Sequence, residues 1–291
     1  MAKFDYFEPE DLPQALDLLG QHGEEARVIA GGQSLLILIR QGFLRPAVLI
    51  SPHRIRSLRE IKIDGGEVVL GAMVTQREIS SDSTISRNFA ALAQAASKVG
   101  SIHVQNLGTV GGNLSHAEPN GDSAPALISL GASVMAASAR GQRRIPLENF
   151  FRGPFENALE SDEMITHVRV PLPVNRTWSI YLKHVMRAVD RATVGIGVQL
   201  RMDADGVCSD VQIGLCGAGL HPFRPTKAEA LLRGENISEA LLAAVGSEIS
   251  SSCDPISDSH GPADYKRKMA AVLIKRALRQ AVSAARLERR V

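Results

Sequence analysis

The chain has few aromatic residues, few cysteines and no long apolar run. Aromatic side chains make up 4% of its 291 residues, with Trp178 as the single tryptophan, so the stacking platforms that bind nucleic-acid bases are not expected. The longest aliphatic run, residues 35–39, falls far short of the roughly 20 residues that span a bilayer, so no transmembrane segment is expected. The formal net charge of +2 gives no global preference for nucleic acid.

The three cysteines, Cys208, Cys216 and Cys253, are widely spaced and form no CxxC pair. They are too few for a disulfide framework or for an iron–sulfur cluster, which normally takes four, so no metal site is expected on this chain. We interpret them as buried apolar side chains in a reducing, intracellular compartment. The N-terminal residues lack the apolar core of a signal peptide, so a cytoplasmic protein is expected.

Hydrophobic periodicity predicts a helix over residues 10–20, then a strand, a glycine turn, a second helix and a second strand by residue 50. From Ile61 a hairpin turning at Asp64-Gly65-Gly66 is predicted, followed by further helices. Residues 100–122 show neither the hydrophobic period of a helix nor that of a strand. Long irregular stretches in compact domains are often functional, so we expect a functional loop there.

After a predicted domain boundary at residues 173–177, three antiparallel strands are predicted over 178–185, 193–202 and 207–215, followed by helices. The last helix, 263–290, is amphipathic and basic. We interpret its cations as a solvated face, favoured near a helix C-terminus, with contact to nucleic acid or to a protein partner as the alternatives. The basic residues are Lys266, Arg267, Lys268, Lys275, Arg276, Arg279, Arg286, Arg289 and Arg290.

The motif Ala30-Gly31-Gly32-Gln33-Ser34 lies between a predicted strand and a predicted helix. Glycine permits a positive φ and close approach of a ligand, and successive backbone N–H groups can form an anion-binding nest at the start of a helix. Ser34 can cap that helix or donate to a phosphate oxygen. By itself the motif is also typical of an ordinary turn, and it matches neither the P-loop nor the dinucleotide-binding fingerprint.

The motif Thr109-Val110-Gly111-Gly112-Asn113 repeats this arrangement about 80 residues later. Two nests in one domain suit two adjacent phosphates, so a pyrophosphate is the expected ligand. Asp122 follows nine residues after Asn113. Because pyrophosphate would repel a carboxylate, we expect Asp122 to accept from sugar or ribityl hydroxyls, to cap a helix, or to do both.

The two motifs and Asp122 resemble the FAD-binding medium subunit of molybdenum hydroxylases, the family of xanthine dehydrogenase and carbon monoxide dehydrogenase. The similarity extends over nearly the whole chain. It implies an α+β fold, with a two-subdomain FAD-binding domain of the vanillyl-alcohol oxidase (PCMH) type. A C-terminal domain with a three-stranded antiparallel sheet and a helical bundle follows. The implied domains are 1–175, with subdomains of about 1–57 and 58–175, and 176–291.

The resemblance also implies the function and the partners. The chain would be an oxidoreductase subunit that binds FAD, takes electrons from iron–sulfur clusters and passes them to an external acceptor. A large subunit would carry the molybdenum cofactor and a small one two 2Fe-2S clusters, in a dimer of heterotrimers. No side chain of this chain would be catalytic, because the chemistry belongs to the cofactors.

Carried over position by position, the resemblance assigns cofactor-binding roles. Asp122 would bind hydroxyls, Ile165 would line the adenine or flavin pocket, and Lys183 would lie near the isoalloxazine, with Asp190 in a loop beside it. The pyrophosphate and ribityl chain would lie against Ile29, Ala30, Gly31, Gly32, Gln33, Ser34, Leu35, Leu36, Thr109, Val110, Gly111, Gly112 and Asn113.

Two positions depart from the family pattern. Arg191 stands where relatives often have an aromatic residue close to the flavin ring. Gln33 stands where some relatives have histidine, which excludes histidyl attachment at this loop, so non-covalent FAD is expected. His116 is expected to hydrogen-bond to nearby backbone.

Two alternatives remain at this stage. A self-contained FAD-dependent oxidase or dehydrogenase of the same fold would oxidise its own substrate. The C-terminal part, however, holds only Trp178, Tyr181, Phe223 and Tyr265 as aromatics, which argues against a dedicated substrate pocket. A non-enzymatic nucleotide-binding module would lack a yellow chromophore.

Overall fold

The computed structural model describes residues 3–288 of the chain, with side chains up to residue 286. Arg289 and Arg290 of the predicted basic helix therefore lie outside the described residues. The N-terminal part is a parallel sheet in the order β1-β3-β2. Its elements are β1 Asp5–Phe7, α1 Leu12–His22, β2 Ala26–Val28, α2 Leu35–Gln41 and β3 Val48–Ile50. Helix α1 begins after Asp11, whose carboxylate accepts from the Gln14 N–H at 2.9 Å, and buries Ala15, Leu16 and Leu19.

The middle part is a five-stranded antiparallel sheet in the order β4-β5-β10-β6-β7, packed against short helices. The strands are β4 Ile61–Asp64, β5 Glu67–Gly71, β6 Ser133–Ser138, β7 Gly141–Pro146 and β10 Met164–Pro171, with a small hairpin of β8 Phe151–Gly153 and β9 Glu156–Asn157. The helices are α3 Gln76–Ser81, α4 Ser83–Asn88, α5 Ala90–Ala96, α6 Ile102–Leu107, α7 Val110–His116 and α8 Ser123–Ser129.

The expectation of an irregular loop over residues 100–122 is wrong, because α6 and α7 occupy most of it. Each begins at a capping side chain: Ser101 accepts from Val104 N–H at 3.5 Å, and Thr109 accepts from Gly112 N–H at 3.1 Å. The helices have six and seven residues, so neither repeats an apolar period often enough to be recognised.

The C-terminal part is a three-stranded antiparallel sheet in the order β11-β12-β13, covered by three helices. Its elements are β11 Thr177–His184, β12 Val194–Met202, β13 Cys208–Cys216, α9 Thr226–Leu232, α10 Glu239–Ser252 and α11 Ala263–Glu288. The predicted α+β fold is confirmed, as is the burial of all three cysteines, which are free thiols. The subdomain and domain limits stay predictions.

One cation of α11 is not on a solvated face. Lys266 is 2% exposed, and its ammonium donates to Ile256 O at 3.0 Å and lies 2.7 Å from Asp258. The expectation of a solvated face is therefore wrong for Lys266, which ties the preceding loop to the helix. By contrast Arg279 is exposed and pairs with Glu239 at 2.6 Å.

The middle helices pack closely on the C-terminal sheet. A Cβ added to Gly197 or Gly214 would come within 2.5 or 2.2 Å of the Pro125 carbonyl oxygen, so only glycine lets α8 approach β12 and β13 this closely. Tyr181 N–H also donates to Gln94 Oε1 at 2.8 Å. Within residues 3–288 no helix is long and apolar enough to cross a membrane.

Candidate functional site

A cleft of about 1080 Å³ runs between the N-terminal sheet and the middle sheet. Small-molecule sites typically occupy about 300–1,000 Å³, so the cleft is large enough for an extended ligand such as a dinucleotide. Both glycine motifs line it, with Gly31, Gly32 and Ser34 from the first and Gly112 and Asn113 from the second.

The first motif offers a row of unused backbone donors. In the part of the chain that the structure describes, the N–H groups of residues 31–35 find no protein acceptor, whereas Ile29 N–H donates to Ile50 O at 2.9 Å. Gly32 has φ +67°, a left-handed conformation that favours glycine. Ser34 starts α2, but its hydroxyl makes no capping bond and stays available as a donor. These N–H groups and the Ser34 hydroxyl can therefore bind phosphate oxygens, as an anion-binding nest does.

The second motif does not repeat this arrangement. Its residues form the first turn of α7, and four successive N–H groups are already bonded. Val110 and Gly111 N–H donate to Val74 O and Ala72 O, both at 2.9 Å, while Gly112 and Asn113 N–H donate to Thr109. The prediction of a second anion nest is therefore wrong, and phosphate binding here would rest on the Thr109 N–H and the Asn113 side chain.

All four glycines of the two motifs line the cleft, and the first glycine of each motif also packs closely against neighbouring backbone. A Cβ added to Gly31 would lie 1.9 Å from Leu107 O, and one added to Gly111 would lie 2.6 Å from Ala72 Cβ. Gly112 is less crowded, since its added Cβ would lie 3.0 Å from Thr109 Oγ1 and 3.5 Å from Ala30 Cβ. The contact of Gly31 with residue 107 joins the two motifs on one wall of the cleft.

The structure brings most of the predicted site residues to this cleft. Those that line it are Ala30, Gly31, Gly32, Gln33, Ser34, Leu35, Thr109, Gly111, Gly112, Asn113 and Ile165. The predicted residues outside its lining are Ile29, Leu36, Val110, Asp122, Lys183 and Asp190. Gln33 folds back, with Nε2 donating to Gly31 O at 3.0 Å.

Asp122 and Lys183 form a buried ion pair beside the cleft. Their side chains are 5% and 3% exposed, and Lys183 Nζ lies 2.9 Å from both Asp122 Oδ2 and Lys98 O. Asp122 Oδ1 also accepts from the Tyr181 hydroxyl at 2.6 Å. Asp122 makes no side-chain capping bond to α8, so that interpretation of its side chain is wrong. The binding of cofactor hydroxyls by Asp122 and the place of Lys183 near the isoalloxazine stay predictions.

The electrostatics of this pair follow from burial. Burial raises the pKa of Asp122, and the Lys183 charge and the bonds from Tyr181 and Lys183 oppose that rise. Burial and the nearby Asp122 carboxylate raise the pKa of Tyr181 well above its ordinary value, so Tyr181 is a neutral donor. The lysine charge is thus largely balanced inside the protein. Asp190 lies elsewhere, in the loop between β11 and β12, where its N–H donates to Arg187 O at 3.1 Å.

One side of the cleft carries residues that the motifs did not indicate. Arg191 lines it and pairs with Glu118. The His116 ring lies 5.2 Å from the Phe155 ring, and burial lowers the pKa of His116, which favours its neutral form. The sequence expectation for His116 was a backbone bond, and the contact found is with an aromatic ring. Phe155 has φ +61°, a local backbone feature that no sequence period indicates.

Gln76, like Phe155, is a cleft residue that sequence reasoning missed. It lines the cleft at the first turn of α3 and is fully buried, and its Nε2 has no partner among the described residues. A glutamine one position into a helix gives no sequence signal of this kind.

Comparisons with known proteins agree with this geometry. Residues 2–173 match the family described as FAD binding domain in molybdopterin dehydrogenase, and residues 180–281 match CO dehydrogenase flavoprotein C-terminal domain. The chain is 33% identical to the carbon monoxide dehydrogenase medium chain of Hydrogenophaga pseudoflava, over 96% of this chain and 97% of that one. It is 30% identical to the 6-hydroxypseudooxynicotine dehydrogenase complex subunit alpha of Paenarthrobacter nicotinovorans, over 97% and 96%.

The fold of this chain also agrees with that of a solved structure. A solved structure of carbon monoxide dehydrogenase from Hydrogenophaga pseudoflava superposes with a TM-score of 0.93 at 33% identity, covering 97% of this chain and 98% of that chain. The family resemblance inferred from the two glycine motifs is thereby confirmed. The chain belongs to the family of FAD-binding medium subunits of molybdopterin dehydrogenases.

Proposed function

We propose that this chain binds FAD without a covalent bond and works as the electron-transfer subunit of a molybdenum-containing hydroxylase or dehydrogenase. The observation that carries the proposal is the row of unpaired backbone N–H groups at residues 31–35, in a cleft of dinucleotide size. Those donors match a pyrophosphate, and the family to which the chain belongs binds FAD.

The residues at the cleft fit the cofactor in three respects. The N–H groups of residues 31–35 and the Ser34 hydroxyl would hold phosphate oxygens. Gly112 leaves room that a Cβ would narrow. Gln33 offers no histidine for covalent attachment, and its amide is bonded to its own loop.

FAD, when bound, supplies the redox chemistry by accepting electrons and releasing them to an external acceptor. The chain's own residues bind and orient it. The buried pair of Asp122 and Lys183 fixes β11 of the C-terminal sheet against the middle part, close to the cleft wall. His116, in its neutral form, and Phe155 cover one side.

We further propose the partners that the relatives suggest. The similar proteins are a carbon monoxide dehydrogenase medium chain and a subunit of a dehydrogenase complex. A large subunit with the molybdenum cofactor and a small subunit with 2Fe-2S clusters would complete the enzyme, as a dimer of heterotrimers. These relatives favour a subunit role over a self-contained FAD oxidase. We propose a cytoplasmic location, where reducing conditions keep the three thiols free.

The test is to purify the full chain and record its visible absorbance before and after acid precipitation. We expect a flavin spectrum whose chromophore is released intact into the supernatant. A correctly folded protein, judged by circular dichroism, that stays colourless in excess FAD would refute the proposal. Flavin that remains with the precipitate would refute its non-covalent form.

A further inference from the structure

In the side-chain amide of Gln76, Oε1 is hydrogen-bonded and Nε2 has no partner among the described residues. The Ser123 hydroxyl donates to Gln76 Oε1 at 3.1 Å, and the Gln76 backbone N–H donates to Gly108 O at 2.9 Å. Both residues that hold Gln76 are themselves next to site residues, Thr109 and Asp122. These bonds fix the helix turn and the amide plane, and they leave Nε2 as the free end.

An unpaired Nε2 at this depth requires an explanation. Gln76 is 0% exposed, and a buried donor without an acceptor is destabilising, because it has lost its hydrogen bonds to water. More than about 90% of buried polar groups have a partner in folded proteins. Five other buried side-chain atoms lack partners among the described residues, and none of their residues lines the cleft. Of these six atoms, Gln76 Nε2 is therefore the one whose residue lines the cleft and could meet a ligand there.

The cleft that Gln76 lines also has apolar side chains, which suit a planar ring. Ala72 and Val99 are buried, and together with Val104 they line the cleft. A mostly apolar wall with one oriented polar group is the usual environment of a bound heterocycle. The isoalloxazine is the larger ring system of FAD, and it gains more from the most buried part of the cleft than the adenine does.

We propose that Gln76 Nε2 donates a hydrogen bond to the flavin half of bound FAD, and that Ser123 is a positioning residue that orients this amide. The inference rests on the proposed function, since it takes FAD as the ligand. It adds a contact from α3, outside both glycine motifs.

The experiment compares Gln76→Met with the wild-type chain after removal of bound flavin, by isothermal titration with FAD and, separately, with ADP. Methionine keeps the length of the side chain and removes the donor. We expect FAD to bind about five- to tenfold more weakly and ADP to bind within about twofold of wild type. The flavin absorption band of the reconstituted variant should also be displaced.

Gln105→Met is the matched control. Gln105 is also buried, but its Nε2 donates to Ser97 O at 2.9 Å and its side chain does not line the cleft. We expect both affinities of this control to stay within about twofold, since it removes a bond of similar strength elsewhere. If Gln76→Met does not fold, Gln76→Leu replaces it, because leucine also removes the donor and leaves an apolar side chain at this buried position.

The outcomes separate the two proposals. Unchanged FAD affinity in Gln76→Met overturns this inference alone. Equal losses for FAD and ADP overturn it as well, because the contact would then lie in the adenylate half or the effect would be structural. A folded wild-type chain that binds no FAD overturns the proposed function, and this inference with it.

Discussion

Replacing Lys183 with methionine tests the buried ion pair beside the cleft. The substitution leaves the Asp122 carboxylate 5% exposed, with the Tyr181 hydroxyl as its remaining close donor. Removing one partner of a buried pair costs about 3–5 kcal/mol, because the other charge is left uncompensated. We expect a loss of this size in the free energy of unfolding at neutral pH, measured by urea denaturation.

The pH dependence of that loss has a definite sign. Burial already raises the pKa of Asp122 in the folded protein, and removal of Lys183 raises it further. A carboxyl group with a higher pKa in the folded than in the unfolded state binds more protons when folded, so stability falls as pH rises between the two values. The deficit of Lys183→Met should therefore be largest near neutral pH and shrink as the pH falls toward about 4.

Two further variants make this test specific. Lys98→Met removes a lysine whose charge also acts on Asp122 but whose Nζ bonds directly only to Tyr181 O at 3.4 Å, and we expect a smaller loss of about 1 kcal/mol. Combining Asp122→Asn with Lys183→Met should recover more than about half of the loss of Lys183→Met. A deficit below about 1 kcal/mol, or one that does not change between neutral and acid pH, would refute the reasoning.

The remaining predictions concern packing and the last helix. Gly111→Ala should lower the melting temperature strongly, because its Cβ would lie 2.6 Å from Ala72 Cβ. Gly112→Ala should melt close to wild type and bind FAD more weakly. Equal effects of the two variants on melting temperature and on FAD affinity would contradict these different roles. Gly20→Ala, with nothing within 4 Å of its added Cβ, is the control for both. Lys266→Met should cost about 1–3 kcal/mol of unfolding free energy, and an unchanged urea midpoint would show that its buried bonds contribute nothing.

The sequence predicted the parts of the fold whose signals are local and repeated. The C-terminal sheet has three long strands separated by turn residues, and the hairpin at Asp64-Gly65-Gly66 has its own turn residues, so both were predicted. The short helices α6 and α7 were missed, because their limits depend on the caps Ser101 and Thr109 rather than on an apolar period. The edge strand β7 was missed because Gly141–Pro146 is mostly exposed and polar.

The same distinction between local and long-range signals applies to the candidate site. Glycine pairs mark positions where a backbone must approach something, and both pairs do lie at the cleft. Which segment each glycine packs against depends on the tertiary structure, and no local sequence pattern encodes it. The partners of Asp122 come from residues 59 and 61 positions later in the chain, so the sequence could indicate a functional carboxylate but not its ion pair.

The two glycines of each motif have different contacts. Gly31 and Gly111 have no room for a Cβ because other backbone lies against them, at Leu107 and Ala72. Gly32 and Gly112 stand next to them and line the cleft. The first glycine of each pair therefore packs against backbone of another segment, whereas a Cβ on the second would meet only side-chain atoms. A change at Gly31 or Gly111 would therefore displace the backbone of Leu107 or Ala72, whereas a change at Gly112 would press on the Thr109 hydroxyl and narrow the cleft.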